Sequence, residues 1–163
     1  MSTQIWGPDL WHILHTVAKS YPMRPTLQDK NIAYQLVKYV ALIVPCKNCQ
    51  KHYITNFTKN KPSLDNGPDF FKWTVKMHNH VNKATSKRQY AYMDAYNITP
   101  DVLHSKKMTK LFTYLVKESN YGNVSKMALQ RFIDCLTYLS RYSAGNWSPS
   151  GKKDVFTVKQ RSR

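Results

Sequence analysis

Two cysteines three residues apart, Cys46 and Cys49, carry the most evident chemistry in this chain. They follow an apolar run, Val40-Ala41-Leu42-Ile43-Val44, that ends at Pro45, and Gln50-Lys51-His52-Tyr53-Ile54 beyond them reads as helix. Proline is favoured at or just before a first helical turn, where its missing N–H costs nothing. The spacing therefore predicts Cys46 at a helix N-terminus and Cys49 almost one turn later on the same side. Unpaired N–H groups and the helix macrodipole stabilise a thiolate there, and such settings lower a cysteine pKa from about 8.5 to roughly 3.5–7.5. Lys47 and Lys51 add positive charge nearby. The pair reads as a redox disulfide. The same Cys-x-x-Cys would also serve as half a zinc site, completed by histidines such as His52 or His78 and His80, or as two buried, inert thiols.

A second set of polar residues lies on two other helical stretches. Trp11, His12 and His15 fall on the first, and Trp73, His78, Asn79, His80 and Asn82 on the fourth. Positions 11 and 15 share a helix face, as do 78 and 82. Four Asn and His residues within Met77–Asn82 make a poor plain helix, since both types are indifferent helix formers. They border an apolar stripe of Trp73, Met77, Val81 and Ala84, so any that face inward need partners. One account is a satisfied histidine or two with solvent-facing amides. The other is a flat, polar ligand in the helical core, with Trp and His rings stacking and Asn amides bonding a heterocycle. A Cys-x-x-Cys at the mouth of a flavin pocket would unite the two sets, because electrons taken by thiols must leave through a cofactor.

The elements that must position these residues are helical. The chain has 163 residues with five glycines, which fits one domain or one domain with an appendage. Gly7-Pro8-Asp9 opens a helix with Leu10, Trp11, Leu14, Val17 and Ala18 on one face, closed by Pro22 and Pro25. Thr26 with Asp29 resembles a capping box and starts a second helix that runs to Val44. A third runs from Cys46 to about Lys59, the segment 61–68 is a loop by its turn residues, and a fourth runs from Pro68 or Asp69 to about Thr85. Four amphipathic helices with short joins imply an up-and-down bundle. Beyond them come a tyrosine-rich short helix (Tyr90, Tyr92, Tyr96) and helices near 103–119 and 125–142. The second of these places Cys135 as a core residue. From about Asn146 the composition turns to Ser, Pro, Gly and Lys, the signature of a mobile basic tail.

Lys and Arg number 25 against 9 Asp and Glu, a formal charge of +16. That balance attracts nucleic acid, anionic membrane or acidic proteins, although the lysines are scattered rather than gathered in one block. No stretch approaches the ~20 apolar residues of a membrane span, and residues 1–13 lack a signal peptide's basic and apolar regions. The reading is a protein made in a cytosol-like compartment.

Three motifs in series carry a family resemblance. Trp11-x-x-Leu14-His15 followed by Tyr21-Pro22, then Pro45-Cys46-x-x-Cys49, then Trp73 leading into His78-Asn79-x-Val81-Asn82-x-x-x-x-Lys87, resemble the FAD-dependent sulfhydryl oxidases of the Erv/ALR family. The match extends from about Trp6 to Lys87, and the start at Trp6-Gly7-Pro8 resembles compact members from large cytoplasmic DNA viruses. The resemblance implies an all-α fold: a four-helix bundle holding FAD at its open end, with a short fifth helix over residues 1–98. Residues 99–145 are then a helical C-terminal extension, and residues 146–163 the basic tail. It implies that Cys49 lies against the flavin and Cys46 meets substrate thiols. Trp11, His15, Tyr53, His78, Asn79, Val81, Asn82 and Lys87 would line the FAD site, with no metal involved.

The function implied by the resemblance is an FAD-linked thiol oxidase that forms disulfides in substrate proteins and passes electrons to oxygen, giving hydrogen peroxide. The resemblance further implies a homodimer, and host cytoplasm or virion as its location. Cellular members carry a second, structural disulfide and a shuttle cysteine pair; this chain has neither, so substrate would reach Cys46 directly. The competing reading from another class is a basic helical module that binds nucleic acid or an acidic partner, with structural or zinc-binding cysteines.

Overall fold

The computed structural model describes residues 3–143, so the expected tail lies outside the described residues. These form seven α-helices in order: α1 Thr3–Ser20, α2 Leu27–Ile43, α3 Lys47–Lys59, α4 Gly67–Ala84, α5 Tyr92–Ile98, α6 Ser105–Asn120 and α7 Lys126–Leu139, with a 3-10 turn at Ser140–Tyr142. None is long and apolar enough to cross a membrane.

Helix α1 begins four residues before the expected Gly7, so Pro8 lies inside it. A proline near a helix start removes only one bond of the ladder, and burial of Trp6 fixes this extra turn to the bundle. Helix α1 packs along α4. Their approach is closest where α4 starts: a Cβ on Gly67 would run into the Tyr21 carbonyl. Helix α3 is joined to α4 at the opposite end from its cysteines, where Trp73 Nε1 donates to the Asn60 carbonyl at 2.7 Å. Lys19 reaches across to α5, donating to the Tyr96 and Thr99 carbonyls and pairing with Asp101 at 3.2 Å.

The helical extension is integral to the core. Helix α7 packs along α2, and α6 along α1, within a single hydrophobic cluster. The α2/α7 pair is tied at both ends. Ser125 N–H donates to the Leu42 carbonyl at one end, and at the other the Tyr138 and Tyr142 hydroxyls donate to Asp29 at 2.8 and 2.9 Å. Asp29 also closes the expected capping box with Thr26. Burial opposes its ionisation, but the hydrogen bonds from the Thr26 backbone, Tyr138 and Tyr142 outweigh that and hold the carboxyl below its usual range. Cys135 lies in this core as expected, and burial pushes its thiol up to about 12.

Asp29→Ala should leave two tyrosine hydroxyls and a helix N-terminus without their acceptor. The expected loss is about 3 kcal/mol against about 1 for Tyr138→Phe, since deserting buried donors costs more than deleting one bond. Urea unfolding measures both; equal, small losses would show that the clasp is solvated.

Candidate functional site

Helices α1 to α4 enclose a cavity of about 600 Å³ at one end of the bundle. Its walls come from Trp6, Leu10 and Trp11 of α1, the end of α2, Cys49 and Tyr53 of α3, and His78, His80, Val81 and Asn82 of α4, with Lys87, Arg88 and Tyr90 closing one side.

Cys46 and Cys49 form a disulfide. Cys46 is the N-cap of α3, and its sulfur accepts from the Cys49 backbone N–H at 3.3 Å. Pro45 ends the preceding extended residues and cannot continue α2, which is why the next helix restarts at the cysteine. The two sulfurs are inequivalent. Cys49 lines the cavity, whereas Cys46 does not and is half-buried at the start of the helix. The first turn of α3 holds no acidic residue, so nothing offsets its positive end.

Opposite the disulfide stands a chain of polar contacts between α1 and α4. Thr74 Oγ1 donates to the Phe71 carbonyl at 2.7 Å, so it has no proton left for His15. His15 Nδ1, at 2.9 Å from Thr74 Oγ1, must therefore be the donor. Burial, helped by the neighbouring His78 and His12, lowers the His15 pKa to about 3, and burial with the Lys87 charge lowers that of His78 to about 4. Both rings are neutral at pH 7, and a neutral His15 with hydrogen on Nδ1 has a bare Nε2. That nitrogen accepts from His78 Nδ1 at 2.9 Å. His78 Nε2 is then left as an acceptor on a ring that lines the cavity. The ring is also stacked on Trp11, centroids 4.2 Å apart and 6° from parallel.

Six of the eight residues expected to hold a cofactor line this cavity: Trp11, Tyr53, His78, Val81, Asn82 and Lys87. Tyr53 is held by a hydrogen bond from its hydroxyl to the Val37 carbonyl. His15 stands behind His78 as its support rather than on the wall. Asn79 is turned aside, its amide exchanging two hydrogen bonds with the backbone of Tyr90 at 2.8 and 2.9 Å. It thereby folds the segment after α4 back over the opening. Trp73 is also away from the cavity, at the α3/α4 join.

Among the further wall residues, outside those eight, are Trp6 and His80. Trp6 Nε1 and His80 Nε2 are buried without a hydrogen-bond partner. His80 lies about 200° around the helix from His78, yet it too lines the cavity. Orphaned buried polar atoms cost about 1–3 kcal/mol each, and here they face a cavity large enough for a ligand to satisfy them. The wall thus offers a stacking surface, the buried Asn82 amide, unpartnered ring nitrogens, and the cations Lys87 and Arg88 on one side. Such a set suits a long ligand with flat heterocycles and a phosphate group. Among the described residues, no three His, Cys, Asp or Glu side chains converge as a metal site requires.

Known proteins resemble the chain over the same region. The Erv1 / Alr family profile matches residues 8–102. The chain is similar to the FAD-linked sulfhydryl oxidase of African swine fever virus, 34% identical over 93 residues, which are 57% of this chain and 78% of that protein. It is also similar to a probable FAD-linked sulfhydryl oxidase of Acanthamoeba polyphaga mimivirus, 32% identical over 110 residues, 66% of this chain and 77% of that one. Among solved structures, the yeast Erv1 core superposes with a TM-score of 0.59 at 29% identity, covering 62% of this chain and 86% of that one.

The histidines should give the protein a distinctive acid limit. His12, buried beside Lys107 and His104, is also lowered to about 4. Unfolded histidines bind protons near pH 6.5 while the folded ones do so only near 3 to 4, so the unfolded state holds more protons in between. Stability should be full above pH 7 and fall from about 6.5 to 4, by up to about 1.4 kcal/mol per pH unit for each ring. Denaturant unfolding across that range checks it. A flat profile down to pH 4 would mean that the rings are already charged in the fold.

Proposed function

The chain belongs to the Erv1 / Alr family, and on that premise we propose that it is an FAD-linked sulfhydryl oxidase acting through the Cys46–Cys49 disulfide. The observation that carries the reading is a disulfide with one sulfur on the wall of a cavity suited to FAD and the other half-exposed outside it. In this reading Trp11 and His78 stack with a flat ring of the cofactor, and Asn82 and the acceptor nitrogen of His78 meet its polar edges. Lys87 and Arg88 balance its phosphates, Tyr53 and Val81 pack against it, and His15 and Asn79 hold the wall in shape. When bound, FAD supplies a two-electron acceptor next to Cys49 and a route to molecular oxygen, which gives hydrogen peroxide.

The protein's own part is thiol exchange. A substrate thiolate attacks Cys46 Sγ, the Cys46–Cys49 bond breaks, and Cys49 leaves with the electron pair as a thiolate. The substrate's second thiol, once deprotonated, attacks the substrate sulfur of that mixed disulfide, and Cys46 leaves as a thiolate. Two substrate thiols have then lost two electrons and two protons, and the cysteine pair has gained the two electrons. The N–H of Cys49 and the start of α3 stabilise the Cys46 thiolate, which makes it a good leaving group. The reading includes a homodimer, which the family resemblance supports. It also includes a setting in host cytoplasm or virion, supported by the viral relatives.

The two cysteines should fail differently. Cys49→Ser keeps the attacked sulfur but has no internal thiol to release a bound substrate, so a mixed disulfide should accumulate on a non-reducing gel. Cys46→Ser should trap far less, and both variants should lose turnover. An adduct confined to Cys46→Ser would reverse the assignment. Undiminished thiol oxidation by both variants would end the oxidase reading.

A further inference from the structure

Lys47 and Lys51 are exposed one turn apart on α3, directly after Cys46. Neither has an ion-pair partner among the described residues, and neither lines the cavity, so the cofactor does not account for their charge. Ile54 continues the same stripe at i+7 and is 49% exposed. The start of α7 lies beside the end of α2 through the Ser125–Leu42 hydrogen bond, and it brings exposed Lys126 to this region. Negative charge is sparse in the surroundings: Glu118, near the start of α7, is buried and accepts from the Asn123 side-chain amide at 2.8 Å. The sequence has no Asp or Glu between Asp29 and Asp65, nor between Asp69 and Asp94. Asp65 is paired with Lys30 at 2.9 Å, and Asp69 bonds Asn66 at the start of α4. Both lie past the far end of α3, about 20 Å along the helix from Cys46.

We propose that this stripe docks acidic segments of substrate proteins, so that the preferred substrates are cysteines flanked by Asp or Glu. The inference rests on the oxidase reading for its chemistry and deepens it by naming a substrate class. Acidic flanks raise a cysteine's pKa in free solution and so reduce its thiolate fraction. Docked against Lys47, Lys51 and the positive end of α3, those flanks are neutralised and the thiolate is restored where it attacks Cys46. The stripe from Lys47 to Ile54 spans about 10 Å, which an extended peptide of three or four residues covers. Nucleic acid fits less well, because its affinity grows with many phosphate contacts along a track, and this patch is short and carries an exposed apolar residue.

Three dithiol peptides that differ only in Glu, Gln or Lys flanks test the proposal on the full chain. Rates are normalised to the same protein's rate with dithiothreitol. At about 0.01 M salt kcat/KM should run Glu above Gln above Lys, with Glu over Lys by about tenfold or more, and the order should collapse near 1 M as screening shortens from about 30 to 3 Å. The double variant Lys47→Glu with Lys51→Glu should invert it. Serine-for-cysteine versions of the peptides, followed by fluorescence anisotropy, should bind in the same order without any chemistry. Equal rates for the three peptides, a Lys preference, or an order untouched by the double variant would overturn the proposal. So would duplex DNA binding lost in the double variant while peptide selectivity persists. Absent dithiothreitol turnover with the binding order intact would sink the oxidase reading and leave the acidic preference standing.

Discussion

His15 is the join on which the cavity depends. It sits largely shielded between α1 and α4 with a partner on each ring nitrogen, Thr74 on one side and His78 on the other. Burial keeps the ring neutral, and neutrality is what makes the pattern of donors work: a charged His15 would present two N–H groups and have nothing to offer the His78 proton. Through this link Thr74, whose side chain never reaches the cavity, determines which nitrogen of His78 is left to accept on the wall. Trp11, one turn before His15, completes the arrangement by stacking on His78. The site's recognition surface is thus built from inside the bundle outward.

The other half of the site is organised by a helix start. Pro45 stops α2, and the chain restarts as α3 with Cys46 outside its first turn and Cys49 inside it. Cys49 lines the cavity and Cys46 does not, so the helix start makes the two sulfurs inequivalent. Burial excludes the third cysteine from the same chemistry, since a thiol raised to about 12 in the α7 core supplies almost no thiolate near neutral pH. The extension that carries it serves the bundle by covering α2, clasped at its far end by Asp29.

What was legible in the chain was local. The cysteine spacing, the Thr26–Asp29 box and the helical stripes depend on neighbours within one turn, and the structure forms each of them. Six of the eight wall residues that the family resemblance implied line the cavity. Asn79 shares the His78 motif, yet its amide goes to Tyr90, a partner whose approach is set by the turn after α4 and by no pattern within the helix. Asp29 reads as a cap, but its bonds from Tyr138 and Tyr142 bridge more than a hundred residues and only folding brings them together. Gly7-Pro8 reads as a helix start, because the cost of a proline inside a helix is a local rule; burial of Trp6 is the tertiary term that overrides it. That ring nitrogens of His80 and Trp6 lack partners is likewise visible only once the wall is assembled.

The central claim is that a flavin occupies the cavity within electron-transfer reach of Cys49. The most direct measurement is the visible absorption spectrum of the purified protein during anaerobic addition of a dithiol. The account predicts a yellow protein whose flavin absorption bleaches in the wild type and persists in Cys49→Ser. A colourless protein that takes up no added FAD, or a bound flavin that a dithiol bleaches equally well without Cys49, would contradict it.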